Sequence, residues 1–454
     1  MMTVDRSSLP VPGAARPFRF PAIEKSTLAN GLRVWSIRHT SIPVLALMLL
    51  VKRGAADDPP GKEGLAAITV DMMDEGSGDR SAIEIHEGLA RLGAQLDSDI
   101  GADATLLTVT ALSRFAAPAM SLLADIAARP SLREEDFVRV RQLRLLRLTQ
   151  LRDMPGAVAD RAFFRLLYGT HPYGHTPLGS EPSLTSLSID DVRAFHQAMM
   201  RPSDATLVVA GDCHHHEIER LAQIAFDNWT GSAQGELPSS PALPLPARLN
   251  VIPRPGAPQS ELRIGHVAVA RNTPDYHALV AANMVLGGQF VSRINLNLRE
   301  EKGFTYGART SFDFRRMAGP FALQVSVQTA ATAQAIHESF DEIAAIRGPR
   351  PVSPDELALG VAALTRGYAR NFETAEQIAR AATQIALYDL PDDYFAEFVP
   401  RVERVTADDV TRVSAQHLDP SRLTTLVVGD YDTIANDLGR LELGIPSVLS
   451  ADTF

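Results

Sequence analysis

Residues 188–212, SIDDVRAFHQAMMRPSDATLVVAGD, recur without a gap 218 positions later as TADDVTRVSAQHLDPSRLTTLVVGD, residues 406–430. Asp190, Asp191, Val192, Pro202, Ser203, Thr206, Val209, Gly211 and Asp212 all meet identical residues. Each copy has the same local grammar. Ser188 or Thr406 is placed to cap a helix, a proline opens a turn, and a short apolar strand ends in Gly-Asp. A chain built from two copies of one unit must repeat a fold, and this constrains the architecture more than any other feature.

Between the copies lies GSAQGELPSSPALPLPAR, residues 231–248, whose prolines keep a chain extended and out of helices. It divides the sequence into residues 1–230, a linker at 231–248, and residues 249–454. The remaining elements follow one order in both parts. GLRVWSIRHTSIPVLALMLLVKRG (31–54) and RLNVIPRPGAPQSELRIGHVAVA (248–270) read as strand, turn, strand, with VLALMLLV (44–51) a buried strand. Helices are expected at 64–74 and 274–286. Further helices are expected at 115–128, 134–152 and 157–168, and again at 331–346, 354–370 and 374–388. The fold class expected is therefore α+β: two homologous domains, each a mainly antiparallel sheet covered by helices on one side.

Composition excludes some functions. The 454 residues are 45% hydrophobic and carry a net charge of −10, with no basic patch for a nucleic acid. No apolar run is long enough to span a membrane and the N-terminus shows no signal peptide, so a cytoplasmic location is expected; a periplasmic one follows if an export signal has been removed. The single cysteine, Cys213, cannot form an internal disulfide.

The segment NLREEKGFTYGARTSF (297–312) raises a functional question. Val291, Ile294 and Leu298 form an apolar helical stripe beside Arg299. Lys302 and Gly303 end the helix, the lysine complementing its dipole. Tyr306 alternates with Phe304, Ala308, Thr310, Phe312 and Phe314, which suits a core position on a strand. The alternative is that Arg299 and Tyr306, both hydrogen-bond donors, meet at a carbonyl oxygen or a developing oxyanion.

LGGQFVSRINLNLREEKGFTYG (286–307) resembles the C-terminal-domain signature of the pitrilysin, or insulinase, family, which includes insulin-degrading enzyme and mitochondrial processing peptidase. LANGLRV (28–34), LLYGTHPYGHTPLGSEPSLTSL (166–187), the duplication and the linker extend the resemblance over nearly the whole chain. It implies two domains facing each other as a clamshell around a peptide chamber. It also implies that Arg299 and Tyr306 contact the substrate beside the scissile bond.

Family enzymes hold zinc with H-x-x-E-H on a helix and a further glutamate some 75 residues on. Here the matching helix, GKEGLAAITVDMMDEGSG (61–78), has Ala67 and Asp71 for the two histidines and Val70 for the general-base glutamate. The later segment LRLLRLTQLR (143–152) offers three arginines and no acid, and its positive charge opposes a cation. The chain is thus expected to bind no catalytic zinc. By resemblance, the expected role is a non-catalytic, substrate-binding subunit of a heteromeric zinc metalloendopeptidase, inactive alone. Its partner would be an H-x-x-E-H homologue carrying Zn²⁺, in a heterodimer or a dimer of heterodimers, and its substrate a peptide or unfolded polypeptide. The alternative is an inert structural or assembly scaffold. GDCHHHEIERL (211–221) is expected to be a solvated helix start, since neighbouring helical positions point about 100° apart. HPYGH (171–175) is expected to be structural.

Overall fold

The computed structural model describes residues 18–231, 243 and 248–451. Each half builds one six-stranded sheet. The first runs in the order Ile23–Thr27, Arg33–Arg38, Ala205–Gly211, Val44–Val51, Thr105–Leu112, Gln95–Ile100. The second runs Ala308–Phe312, Pro320–Gln328, Gln259–Val267, Thr424–Gly429, Leu249–Pro253, Ser447–Val448. Read from opposite ends, five strands of one match five of the other. In both, the strand ending the duplicated segment pairs parallel with the first long strand of its half, at 33–38 or 249–253. The other pairings within those five strands are antiparallel.

The duplicated segments fold alike. Ser188 Oγ accepts from Asp191 N–H at 3.3 Å and opens the helix Ile189–Met199. Thr406 Oγ1 accepts from Asp409 N–H at 3.1 Å and opens Ala407–His417. Helices also stand at Ala116–Ala128, Glu134–Arg152, Pro155–Tyr168, Thr332–Ala345 and Ala375–Tyr388. The helix expected over 354–370 stops at Thr365, because Gly367 takes φ +78° and a 3₁₀ turn, Tyr368–Phe372, follows. The linker lies almost wholly outside the described residues.

Helices of its own half cover one face of each sheet. In the first half, Leu45, Leu47, Leu49, Leu207 and Val209 pack on Met120, Leu123 and Phe226. In the second, Leu262, Ile264, Leu323 and Val325 pack on Leu279, Ala282 and Ile336. The opposite faces are covered too, by exchange. Ala46, Met48, Leu50 and Val208 of the first sheet receive Ile378, Ala382 and Ile385 of the Ala375–Tyr388 helix. Ile252, Leu426 and Val428 of the second sheet receive Val158, Ala162 and Phe163 of the Pro155–Tyr168 helix. Each inner face, turned toward the other half, is buried by a helix from that half.

Polar ties reinforce the exchange. Arg263 Nε donates to Asp160 Oδ1 at 2.7 Å, and Tyr168 Oη to Ala318 O at 2.9 Å. Between the halves of this one chain there remains a cleft of about 460 Å³, lined by Asp99, His175, Arg315, Arg380 and Tyr388 among others.

Candidate functional site

The corner around Arg299 starts from a helix wound tightly and then loosely. Arg293–Asn295 is one short turn, after which Leu296–Glu301 widens, with Lys302 N–H reaching back to Asn297 O at 3.0 Å. Such i→i+5 turns are rare and concentrate at functional sites. Ile294 and Leu298 are buried, as the stripe requires, but Val291 precedes the helix and is exposed. Gly303 closes the turn at φ +67°, a conformation that L side chains adopt only with strain.

Buried side chains lock this corner. Arg293 forms a two-pronged pair with Glu356, Nε–Oε1 2.6 Å and Nη2–Oε2 2.9 Å, and also donates to Arg350 O and Pro351 O. These bonds, above all those from Arg293, hold the Glu356 carboxyl down at about 2. Asn295 Nδ2 donates to Ala308 O at 2.6 Å while its Oδ1 accepts from Ala308 N–H at 2.9 Å. One buried amide thus fastens the helix before Arg299 to the strand after Tyr306.

Tyr306 is not in the core. It is 94% exposed, and the strand begins only at Ala308. Thr305 causes the break: its Oγ1 accepts from Gly307 N–H at 3.1 Å and donates to Gly307 O at 3.0 Å. This local turn interrupts the alternation, so the core position expected from Phe304, Ala308 and Thr310 does not extend to Tyr306.

Arg299 is half-buried, its guanidinium 4.0 Å from the centre of the Phe290 ring. Glu300 Oε1 lies 2.9 Å from Nη1, an ion pair, yet this buried nitrogen has no hydrogen-bond acceptor among the described residues. Phe290, itself 64% exposed, and Gly307 border a cavity of about 470 Å³ over the strands that carry Arg263 and Gln324. Phe290 and Asn295 were missed in the sequence. An aromatic directly after Gly287-Gly288-Gln289 was the available signal for the first.

The first half supplies an internal comparison. Its edge strand follows a helix ending at Gly93, also left-handed at φ +58°. Aligned on the two glycines, the counterparts of Arg299 and Tyr306 are Leu89 and Leu96. Leu89 lies in the core, and Leu96 packs against it. The same corner is apolar and closed in one copy, polar and open in the other.

The helix at the expected zinc position is Leu65–Asp71, its start fixed by Asp58, whose carboxylate accepts from Gly64 N–H at 2.7 Å and Ala66 N–H at 2.6 Å. Ala67 and Val70 are buried. Asp71 Oδ2 accepts from Arg144 Nε at 2.7 Å. Arg144 lies on the Glu134–Arg152 helix, the element expected to carry the distal glutamate. Val70 packs in the first-half core, and Ile294 and Leu298 in the second-half core, so the two half-sites belong to separate units.

Two sequence models of one family match the chain. Residues 33–179 match Insulinase (Peptidase family M16), and residues 186–364 match the Peptidase M16 inactive domain. The chain belongs to the insulinase (M16) peptidase family. An uncharacterized zinc protease of Streptomyces coelicolor is 21% identical over 403 residues, covering 86% of each chain. The beta subunit of the mitochondrial-processing peptidase of Rattus norvegicus is 24% identical over 267 residues, or 59% of this chain and 54% of that one. A solved peptidase M16 inactive domain from Pseudomonas fluorescens superposes with a TM-score of 0.84 at 23% identity, covering 90% of this chain and 98% of that one. A protease from Helicobacter pylori gives 0.83 at 19%, covering 90% and 100%.

This M16 chain is related to zinc proteases, yet its own residues do not fit the metal. Ala67 and Val70 bring no donor atom, and Asp71, the one candidate ligand, is already held by a cation. Among the described residues, no group of three His, Cys, Asp or Glu side chains is placed to hold a metal ion. The His214–His216 run opens the helix His215–Phe226, with His215 Nδ1 2.9 Å from Ser36 Oγ. Cys213 is buried, which pushes its thiol up to about 11. In HPYGH, His171 Nδ1 accepts from Tyr173 N–H at 3.0 Å, a structural use. No helix among the described residues is long and apolar enough to cross a membrane.

Proposed function

We infer that this chain is the substrate-binding, non-catalytic subunit of a heteromeric zinc metalloendopeptidase. In this reading Arg299 and Tyr306 act in trans, at a Zn²⁺ site carried by an H-x-x-E-H homologue, on a peptide or unfolded polypeptide. The observation that carries it is the 94% exposure of Tyr306 on a corner whose surroundings are fastened by buried bonds. The fold draws no packing from that ring, so its use lies outside the chain. One relative is by its name a subunit of a processing peptidase, which suits a paired assembly.

The chemistry asked of the corner is donation. When a peptide carbonyl is attacked, its oxygen gains negative charge. A phenol O–H and the half-buried Arg299 guanidinium can share that charge. A preorganised donor of this kind is worth about 3–4 kcal/mol of barrier. Zinc, when bound by the partner, activates water and polarises the same carbonyl.

Mixing this chain with a purified H-x-x-E-H homologue from the same organism tests the reading. A complex in size-exclusion chromatography, with peptide cleavage only in the mixture, is expected. Two separate peaks and a homologue fully active alone would overturn it. The Arg144–Asp71 pair by itself favours a second reading, an inert assembly scaffold, which leaves Arg299 and Tyr306 without a use.

A further inference from the structure

The Pro155–Tyr168 helix places two arginines one turn apart, Arg161 and Arg165, on a cavity of about 180 Å³ whose wall also includes Glu63, His175, Thr176 and Ser180. Arg165 donates Nη1–H to Gly169 O at 2.8 Å. Arg161 is half-buried and makes no hydrogen bond or ion pair with any described residue. Burial first, and the Arg152 cation second, push its guanidinium below the ordinary arginine value, with no carboxylate acting against them. Two fully buried arginines, by contrast, are answered by carboxylates: Arg263 by Asp160 at 2.7 Å, Arg293 by Glu356 at 2.6 Å. The one acid on the cavity wall, Glu63, makes no ion pair with Arg161, its Oε1 accepting instead from Gly61 N–H at 3.3 Å. A partly desolvated charge without a partner costs free energy that an external anion would recover.

We propose that this cavity binds an oxyanion group, a carboxylate or a phosphate, with Arg161 as its main counter-ion and Arg165 as the second. The Thr176 hydroxyl, which bonds no described residue, is a further donor on the wall. Sites for drug-sized ligands run to roughly 300–1,000 Å³, so 180 Å³ takes the charged end of a molecule rather than the whole. That end has an approach. His175 and Thr176 also line the 460 Å³ cleft between the halves, so the two cavities share a wall. A peptide lying in the cleft offers such a group at its C-terminus, and free phosphate offers the same chemistry.

Calorimetric titration of the full chain alone tests the site independently of any partner subunit. The probes are inorganic phosphate and an N-acetylated tetra-alanine peptide, the peptide both as free acid and as C-terminal amide. Binding of phosphate or of the free acid is expected, weakened about 10–100-fold by Arg161→Gln and less by Arg161→Lys. A free acid that binds while its amide does not assigns the peptide terminus as source; phosphate binding without the free acid assigns a free anion. Because Arg161 bonds no described residue, Arg161→Gln should leave the ligand-free melting temperature unchanged or higher. No binding by any probe, unchanged affinity in Arg161→Gln, equal binding of acid and amide, or a lowered ligand-free melting temperature in that variant overturns the proposal.

Discussion

Arg144 donates its Nε–H to Asp71 Oδ2 across 2.7 Å, placing a guanidinium against the one carboxylate left at the zinc position. Two elements 73 residues apart are thereby joined by an ion pair. The disagreement with the family's zinc chemistry is thus an occupied arrangement, in which the one residual acid already has its cation.

Added Zn²⁺ should leave the melting temperature of the chain unmoved, because a ligand that does not bind the native state cannot stabilise it. Arg144→Ala should cost only about 0.5–1 kcal/mol, since the Asp71 side chain is 43% exposed and water screens the pair. Thermal unfolding with and without Zn²⁺ checks both. A rise of several degrees with zinc would contradict the assignment.

Asn295→Ala removes the amide that holds both backbone groups of Ala308. It should cost about 2–3 kcal/mol, the penalty of leaving buried polar groups unpaired. Urea unfolding reads this as a lower midpoint. A change under about 0.5 kcal/mol would show that the corner is held by other means.

Gly303→Ala isolates the backbone. No atom lies within 4 Å of an added Cβ, so the cost arises from φ +67° alone. About 1 kcal/mol is expected in the same unfolding assay. A neutral result would mean that the helix end tolerates another conformation.

The Arg293–Glu356 pair sets an acid limit on the corner. Glu356 titrates near 2 in the fold against 4.5 for the free side chain, so its contribution is complete above about pH 4.5 and is lost as pH falls toward 2. Urea midpoints of wild type and Glu356→Gln should therefore differ at pH 7 and converge between pH 4.5 and 2. A gap independent of pH would refute this role.

What the sequence disclosed follows from locality. Ser188 and Thr406 as caps, the Pro202 and Pro420 turns and the Gly-Asp strand ends lie within one short segment, so the duplicated unit was readable. Ala67, Val70 and Asp71 were assigned by resemblance to a family motif that lies on a single helix. Tyr306 was harder, because Phe304, Ala308 and Thr310 set a strand period that the Thr305 hydroxyl breaks. The exchange of Val158 and Ile378 between halves had no local signal: an apolar helical face shows that it must be covered, not which sheet covers it. Asn295 was hidden for the same reason, its partner Ala308 being defined only once helix and strand have met.

The most direct test is the specificity constant of the reconstituted pair, with this chain carrying Tyr306→Phe or Arg299→Ala. Both side chains lie at the surface corner, so assembly with the H-x-x-E-H subunit should be unchanged. Loss of one donor to the oxyanion should lower kcat/KM by about 10²–10³-fold. Turnover equal to that of the wild-type pair in both variants would contradict the role given to Arg299 and Tyr306.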